Sequence, residues 1–265
     1  CSSINGMIYM RGQARDYDHW RQLGNTGWGW DDILPYFKKS ESYFGGADEF
    51  HGSDGELPVE EQRLSWPILD AVQQAAQEIG IPPTQDFNTG DNEGAGYFEV
   101  NQKSGIRWNA RKAFIDPAKG RSNLQVVTDA HVEKLVFEGR RVTGLILRHG
   151  NTRKSVSVNQ EVVMASGAIG TPQILQLSGI GPGGLLNDLG IPVLHELKGV
   201  GDNLQDHLQI RTIFKISGAE TLNEMQSTLL GKATIAARYL FNRSGPMAMA
   251  PSQFGIFTKS DPSYE

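Results

Sequence analysis

The chain has 265 residues, of which 25 are Lys or Arg and 30 are Asp or Glu, so its formal net charge is −5. Its 38% hydrophobic and 21% charged content excludes a disordered, coiled-coil or collagen-like chain, and its single cysteine excludes a disulfide framework and a multi-cysteine zinc site. The mildly acidic balance argues against a nucleic-acid-binding protein, and no apolar run reaches the roughly 20 residues that span a bilayer.

The first part of the sequence is rich in glycine and predicts two helices separated by loops. Glycine makes up 31 of 265 residues, about 12% against a usual share of about 7%, which implies many tight turns. Two aspartates followed by apolar residues predict a short helix with Pro35 in its first turn. The apolar spacing predicts a second helix that begins at Pro67 and is ended by Gly80. Loops are predicted for 44–63 and 84–106.

From about residue 122 the apolar residues recur with a period of two, which predicts strands. The second and third of these strands form a hairpin that turns at Gly139, and the last strand leads into a helix at 169–177 with Pro172 in its first turn. A short helix is predicted at 184–189. The predicted strands are 124–128, 132–138, 141–148, 155–158 and 161–165.

The C-terminal part predicts one long helix. Thr221-x-x-Glu224 is a capping box, and the apolar residues after it fit one helix face as far as about Phe241. Apolar residues with helical spacing and apolar residues with the strand period of two are therefore both present, and the predicted strands are concentrated in the middle third. The sequence predicts an α/β core, α+β overall, with a possible domain boundary near 208–220.

Two segments could bind a ligand. At 163–170 a predicted strand leads into a helix, and the N–H groups at the helix start and the small side chains would let a phosphate-bearing ligand approach. A tight strand-to-helix turn of any α/β protein would look similar, and this turn is not itself a G-x-G-x-x-G motif. The small residues of 1–7 are a second candidate, with a fraying terminus as the alternative.

Other polar residues predict neither a catalytic nor a metal site. The six histidines lack metal-ligand spacing, and each is interpreted as a surface or hydrogen-bonded polar histidine. Only the local backbone could depress the pKa of the Cys1 thiol. The acidic residues Asp86, Asp91 and Glu93 lack the order of a calcium-binding loop. Composition and spacing thus indicate a possible nucleotide site, but they do not identify a reaction.

Several sequence blocks together carry a resemblance to one family. The block CSSINGMIYMRG at 1–12 and the block GAIGTPQILQLSGIGP at 167–182 resemble the two signatures of the glucose–methanol–choline (GMC) family of FAD oxidoreductases. The spacing and loops look most like its bacterial alcohol and choline dehydrogenase branch. Further blocks with family counterparts are Asp16-Tyr-Asp-x-Trp20, His51-Gly52 with Asp54-Gly55, Arg107–Arg111 and Gly199–His207.

The resemblance implies a bound FAD. In this family the opening segment runs along the flavin, and backbone donors there stabilise the negative charge that reduction places on the isoalloxazine ring. Val132 matches the valine whose backbone holds the adenine, and the turn after the last strand would pack against the ADP half. The implied FAD-binding residues are Cys1, Ser2, Asn5, Gly6, Met7, Ile8, Val132, Ala165, Ser166 and Gly167.

The sequence also departs from the family pattern. Members that bind FAD covalently through a histidine of the opening segment carry it where this chain has Ile4, so FAD is expected to be non-covalent. The family's G-x-G-x-x-G unit would precede Cys1, and its catalytic histidine, a general base, would follow Glu265. None of the six histidines matches that position, so no catalytic residue is assigned. We expect a central fragment that is inactive alone and whose exposed apolar edges promote self-association.

The resemblance implies a function for the parent protein. It would oxidise a primary alcohol, choline or an aliphatic alcohol, to an aldehyde and pass the electrons to a quinone or another acceptor. Residues 1–207 would belong to a partial, Rossmann-like FAD-binding domain, and 208–265 would begin an antiparallel-sheet substrate domain. An oxidase, an FAD-containing lyase and a non-catalytic binding domain stay open as alternatives. Localisation also stays open, since a targeting segment would lie further toward the N-terminus.

Overall fold

The computed structural model describes residues 2–261 and shows a mixed α/β chain, which confirms the predicted fold class. The helices are α1 (Ala14–Gln22), α2 (Trp30–Ser40), α3 (Pro67–Glu78), α4 (Asp116–Ala118), α5 (Gly167–Leu177), α6 (Gly183–Asp188), α7 (Leu222–Met225) and α8 (Leu229–Asn242). The strands are β1 (Glu41–Tyr43), β2 (Leu57–Val59), β3 (Gly94–Tyr97), β4 (Gln102–Lys103), β5 (Ile106–Arg107), β6 (Ala130–Glu138), β7 (Arg141–His149), β8 (Thr152–Ser157), β9 (Ile180–Gly181), β10 (His195–Glu196) and β11 (Phe254–Phe257). A π-helical turn, Arg111–Ile115, and a 3-10 turn, Pro246–Ala248, complete the set.

The chain divides into two compact units. The second unit is Gln125–Phe214, and the first unit contains the residues on either side of it. The predicted division into family domains at residue 208 is a different assignment and stays a prediction. None of the helices formed by residues 2–261 combines the length and the hydropathy that a bilayer span requires.

The first unit is built from short sheets around a small apolar core. Strands β1 and β2 pair in parallel, β4 and β5 form an antiparallel hairpin, and β11 pairs antiparallel with β3. The β3–β11 pairing places Phe257 against Phe87 and Phe98, with ring centroids 5.2 and 6.3 Å away. The predicted loops 44–63 and 84–106 therefore contain strands and core residues, because two-residue to four-residue strands are too short to show a period.

Helices begin earlier than the sequence predicts. Helix α2 begins at Trp30 and α5 at Gly167, so Pro35 and Pro172 lie inside their helices, in the second turn rather than the first. The start of α2 is fixed by a carboxylate, since the Asp32 side chain accepts a hydrogen bond from the Gly29 N–H at 3.1 Å. Helix α1, which no predicted element covered, begins in the same way. Helix α3 is confirmed from Pro67 onward.

The second unit contains a three-stranded antiparallel meander, β6-β7-β8, and the helix α5. The predicted hairpin that turns at Gly139 is confirmed, with Gly139 at a φ of 60°. Strand β6 contacts α5 through the Leu135 N–H, which donates to Ser178 Oγ at 2.8 Å. The fourth predicted strand, 155–158, is confirmed as β8 (Thr152–Ser157).

Two of the predicted strands are wrong. Within the described residues, 124–128 and 161–165 pair with no other strand. None of their side chains is buried, and Val126 and Val163 are 57% and 81% exposed. An alternating pattern predicts which face a strand would bury, but a strand forms only where a neighbour completes its hydrogen bonds.

The predicted long helix is divided in two. The capping box at its start is confirmed, since Thr221 Oγ1 accepts from the Glu224 N–H at 3.2 Å and Glu224 accepts from the Thr221 N–H at 2.9 Å. The helix ends at Met225, and Thr228 then begins α8 by accepting from the Gly231 N–H at 3.0 Å. A threonine with extended backbone caps a new helix more favourably than it continues an old one.

Candidate functional site

The opening segment of the first unit is tethered to residues 107–110. Arg107 Nη1 donates to the Asn5 carbonyl at 2.6 Å and to the Ser2 carbonyl at 3.2 Å. Ser2 Oγ accepts from the Ala110 N–H at 2.8 Å, and Asn109 Nδ2 donates to Ser3 Oγ at 2.9 Å. Two sequence blocks about a hundred residues apart therefore form one local structure.

The next residues lie along the strand-like segment 99–101. The Met7 carbonyl accepts from the Asn101 N–H at 2.8 Å, and the Tyr9 N–H donates to the Glu99 carbonyl at 2.9 Å. Ile8 lies opposite Val100 between these two bonds, so its own N–H and carbonyl point away from that segment. Met7 has a φ of 69°, a conformation that costs a non-glycine residue energy and is frequent at ligand sites.

This arrangement leaves three successive N–H groups available. In the part of the chain from 2 to 261, no atom accepts a hydrogen bond from the N–H of Gly6, Met7 or Ile8. Gly6 is also sterically constrained, because a Cβ there would lie 3.2 Å from Pro251 Cδ. Successive backbone N–H groups that have no acceptor within the protein are free to bind an anion. The donor set therefore fits a group that carries negative charge, such as the isoalloxazine N1–C2=O region.

A buried polar network begins where the opening segment ends. The Arg11 guanidinium donates to Glu41 Oε1 at 2.6 Å, and both side chains are almost completely buried. His51 lies between two carboxylates, with Nδ1 3.3 Å from Glu41 Oε1 and Nε2 2.9 Å from Asp86 Oδ2. The ring of Tyr43 stacks on His51 with centroids 3.7 Å apart. The network fixes the orientation of Arg11 and of the backbone that follows Ile8.

A third carboxylate closes the network. Tyr43 donates its hydroxyl hydrogen to Glu99 Oε1 at 2.5 Å, and Asn88 Nδ2 donates to Glu99 Oε2 at 3.0 Å. The Asn88 side-chain oxygen accepts from the Arg11 N–H at 2.8 Å. Glu99 is also the residue whose carbonyl binds Tyr9, so the network reaches the segment that supports the three free N–H groups.

Burial and hydrogen bonds shift the pKa values of this network. Burial lowers the pKa of His51, but its bond to Asp86 and its contact with Glu41 outweigh burial and raise that pKa to about 9. Burial raises the pKa of Glu99 to about 7, against the lowering effect of its bond from Tyr43. Burial also raises the pKa of Glu41, but His51, the Gly52 N–H and Arg11 together hold it below its usual range.

The second unit contains the other predicted ligand segment. Ser166 precedes α5 without a side-chain cap, and Gly167 follows it with a φ of 83° and no atom within 4 Å of a Cβ built there. The Ser166 N–H donates to Thr171 Oγ1 at 3.1 Å. The first N–H groups of a helix have no partner within the helix, so the N–H groups that follow Ser166 are the donors that this turn offers. Val132 belongs to strand β6 of the same unit, where it pairs with Leu147 immediately before an irregularity in the β6–β7 register.

A cleft of about 570 Å³ lies beside this turn. Its walls are the α5 residues that follow Gly167 and the loop 199–205, which the Gln176 side chain holds by donating to the Val200 carbonyl at 3.0 Å. The spacing G-x-G-x-x-G does occur at Gly179–Gly184, but it follows helix α5, so it lacks the long-strand context of a dinucleotide fingerprint.

A comparison with family models decides what this chain is related to. The model described as GMC oxidoreductase matches residues 1–209. The chain belongs to the GMC oxidoreductase family. This finding confirms the resemblance that the opening block and the block at 167–182 carry.

Known proteins of the family match the chain over nearly all of its residues. It is 38% identical to an oxygen-dependent choline dehydrogenase of Brucella anthropi over all of this chain and 48% of that protein. It is 38% identical to the human mitochondrial choline dehydrogenase over 98% of this chain and 44% of that protein. The solved structure of an FAD-dependent oxidoreductase from Chaetomium thermophilum superposes with a TM-score of 0.85 and 32% identity, over 96% of this chain and 47% of that one. The chain thus spans about half the length of these relatives.

The structure distributes the predicted FAD-binding residues of this GMC chain between its two units. Ser2 and the contiguous residues Asn5, Gly6, Met7 and Ile8 belong to the first unit, and Cys1 lies outside the described residues. Val132 and the turn Ala165, Ser166 and Gly167 belong to the second unit. Their contacts with FAD stay predictions, and each group is a candidate site by itself.

Sequence reasoning missed the residues that support these segments. Arg107 was identified only as part of a motif, and its contact with Asn5 could not be inferred from spacing. His51 was interpreted as a surface or hydrogen-bonded histidine, and the structure shows it 1% exposed between two carboxylates. No spacing signal was available for this pair, because His51 and Asp86 are 35 positions apart in the sequence.

Proposed function

We propose that the protein containing this chain is an FAD-dependent dehydrogenase that oxidises a primary alcohol, choline or an aliphatic alcohol, to the aldehyde. The observation that carries the proposal is the row of unpaired N–H groups at Gly6, Met7 and Ile8 in a chain of the GMC family. The names of the choline dehydrogenases at 38% identity support choline as the first substrate to test. A bound FAD would supply the hydride-accepting chemistry that this oxidation needs.

In this proposal the opening segment serves the flavin. The N–H groups of Gly6, Met7 and Ile8 would stabilise negative charge on the ring, together with Asn5 and the flanking Cys1 and Ser2. Because these donors are already fixed by contacts at 99–101 and 107, they need little reorganisation when charge develops. This preorganisation is what makes such donors effective.

The second unit would serve the ADP half of the cofactor. Val132 would hold the adenine through its backbone, and Ala165, Ser166 and Gly167 would approach the phosphates at the start of α5. FAD would bind non-covalently, because position 4 is an isoleucine, whose side chain is 86% exposed and has no atom that forms a bond to flavin. Residues 1–207 would form part of the FAD domain and 208–265 the start of the substrate domain.

The base that takes the hydroxyl proton is not assigned to this chain. None of its six histidines corresponds to the family's general base, so catalysis would require a base from another part of the whole protein. The electron acceptor is a quinone or another oxidant. The relative from Brucella anthropi is named an oxygen-dependent choline dehydrogenase, so an oxidase is the second candidate function.

The test uses the full-length protein purified with its natural cofactor. We expect visible flavin absorbance that remains in the supernatant after acid precipitation, and bleaching of that absorbance when choline is added without oxygen. Hydrogen peroxide release in air would identify an oxidase. A protein that contains no flavin overturns the proposal, and flavin that precipitates with the protein overturns non-covalent binding at Ile4. Flavin that no alcohol reduces points to a lyase.

A further inference from the structure

Arg107 connects both ends of the turn that precedes the three free N–H groups. Its Nη1 atom lies 3.2 Å from the Ser2 carbonyl and 2.6 Å from the Asn5 carbonyl. The second distance is short, as expected for a charged donor on a carbonyl. A single half-buried cation therefore holds two carbonyl groups of a four-residue turn on the same side.

The contact at Asn5 fixes the direction of the next N–H group. The Asn5–Gly6 peptide is trans, so its carbonyl and the Gly6 N–H point in opposite directions within one plane. With the carbonyl bound to Arg107, the Gly6 N–H must point away from the guanidinium. The same rule applies two peptides further on, where the Asn101 N–H binds the Met7 carbonyl and so directs the Ile8 N–H away from 99–101.

The position of Arg107 is itself well determined. It lies on β5, opposite Gln102 of β4, and the two strands are joined by Ser104 and Gly105, both with positive φ. Positive φ at both central residues is the geometry that gives a tight two-residue hairpin the correct twist. Lys112 Nζ also donates to the Arg107 carbonyl at 2.8 Å. The guanidinium therefore extends from a rigid hairpin rather than from a mobile loop.

We propose that Arg107 is a positioning residue that aims the Gly6 N–H and, by polarising the Asn5–Gly6 peptide, strengthens it as a donor to the reduced cofactor. A cation hydrogen-bonded to a carbonyl withdraws electron density from the peptide, which makes its N–H a better donor. The inference rests on the proposed function, since it assumes a flavin beside Gly6. Arg107 itself acts through the peptide and touches no substrate.

The decisive variants are Arg107→Gln and Arg107→Lys in the full-length holoenzyme, with Arg121→Gln as the control. Arg121 is exposed in the same unit, and its substitution removes the same charge without a contact to residues 2–8. In Arg107→Gln we expect the affinity for reduced flavin to fall about tenfold more than that for oxidised flavin. For a two-electron couple this ratio lowers the midpoint potential by about 30 mV. Lysine restores the charge but not the two-carbonyl geometry, so it should restore the potential only in part.

A second measurement needs no cofactor. Hydrogen exchange of the peptide that covers residues 2–9 should become faster in the Arg107→Gln apoprotein than in the unsubstituted apoprotein, because the turn loses its tether. The Arg121→Gln apoprotein should match the unsubstituted one.

The outcomes separate the two proposals. If the unsubstituted protein binds flavin and the Arg107→Gln and Arg121→Gln proteins have the same potential, the positioning role is wrong while the function stands. If the unsubstituted protein binds no flavin, the proposed function fails by itself. If the Arg107→Gln protein binds no flavin, its potential cannot be measured, and Arg107→Lys then supplies the test. A potential in Arg107→Lys equal to that of the unsubstituted protein would mean that the contact geometry at Asn5 is unimportant, and the positioning role would be wrong.

Discussion

At the scale of single residues, positive and negative charges are nearly balanced within the buried polar network of the first unit. Arg11 and His51 face the carboxylates of Glu41 and Asp86, while Glu99 lies at the edge of this group with a pKa raised to about 7 by burial. A neutral Glu99 leaves two cations against two anions. Burying a charge without compensation costs several kcal/mol, so an approach to neutrality is expected of such a cluster.

This arrangement predicts that stability decreases as the pH rises above the acidic range. For Glu99, the folded pKa of about 7 lies above the unfolded value of 4.5, so its contribution is complete below pH 4.5 and is lost as the pH rises through 7. For His51, the folded pKa of about 9 lies above the unfolded value of 6.5, so its contribution is complete below pH 6.5 and is lost as the pH rises through 9. Each group contributes a slope of at most about 1.4 kcal/mol per pH unit.

The variant Glu99→Gln tests the lower of these two windows. Glutamine keeps a carbonyl acceptor for Tyr43 but does not titrate, so the decrease in the free energy of unfolding between pH 4.5 and 7 should become smaller. Urea unfolding at a series of pH values measures this decrease. Glu78→Gln, at an exposed position on α3, should leave the pH profile unchanged. An unchanged profile in Glu99→Gln would show that the pKa of Glu99 is the same in the folded and the unfolded protein, and it would contradict the prediction.

At the scale of elements, the boundary between α7 and α8 depends on one side chain. Thr228 accepts the Gly231 N–H at 3.0 Å and has extended backbone angles, so it caps α8 and ends the helical path from α7. A Cβ at Gly231 would lie only 1.8 Å from the Met225 carbonyl, so the chain turns tightly at this point. The two helices are thus separated by capping and by close backbone approach.

We expect Thr228→Ala to destabilise the first unit by about 1 kcal/mol, since the first turn of α8 loses its side-chain acceptor. The control is Thr234→Ala in the same helix. Thr234 lies in the helix interior, where its hydroxyl donates to the Leu230 carbonyl at 2.9 Å, and alanine is a better helix former there. Chemical unfolding should therefore show a lower free energy of unfolding only in Thr228→Ala. Equal losses in both variants would attribute the effect to threonine packing rather than to capping.

The elements also show what the sequence could and could not predict. Local signals were sufficient for α3, which has a proline at its start, for the hairpin at Gly139 and for the capping box at Thr221. They were insufficient for 124–128 and 161–165, because a segment with an alternating pattern forms a strand only where a partner strand is present. The short strands β2 to β5 have no period at all, yet they bury Val59, Ala95 and Gln102.

For the candidate site, the motifs identified the segments but not what supports them. The resemblance assigned the opening residues, and the structure added the N–H groups left free by Arg107 and by residues 99–101. Contacts such as that between Arg107 and Asn5 join residues 102 positions apart. A spacing argument reaches only neighbours on one helix or strand, so contacts of this range require the fold.

At the scale of the whole chain, the most prominent feature is an exposed apolar segment at 208–214 that belongs to no helix or strand. Leu208, Ile210, Ile213 and Phe214 are 79% to 96% exposed, and among the described residues no strand pairs with this segment. Unpaired extended backbone that carries exposed apolar side chains is a template for pairing with another chain. The 265-residue polypeptide, prepared by itself, is therefore expected to self-associate.

Sedimentation velocity over a range of concentrations tests this expectation with two matched variants. Ile210→Lys with Ile213→Lys places two charges on apolar positions of the segment, and we expect it to shift the polypeptide toward the monomer. Gln209→Lys with Thr212→Lys adds the same charge at the neighbouring polar positions and should leave association unchanged. If both variants dissociate alike, net charge governs association. If the unsubstituted polypeptide is monomeric at every concentration, the exposed segment does not pair with another chain and the expectation is wrong.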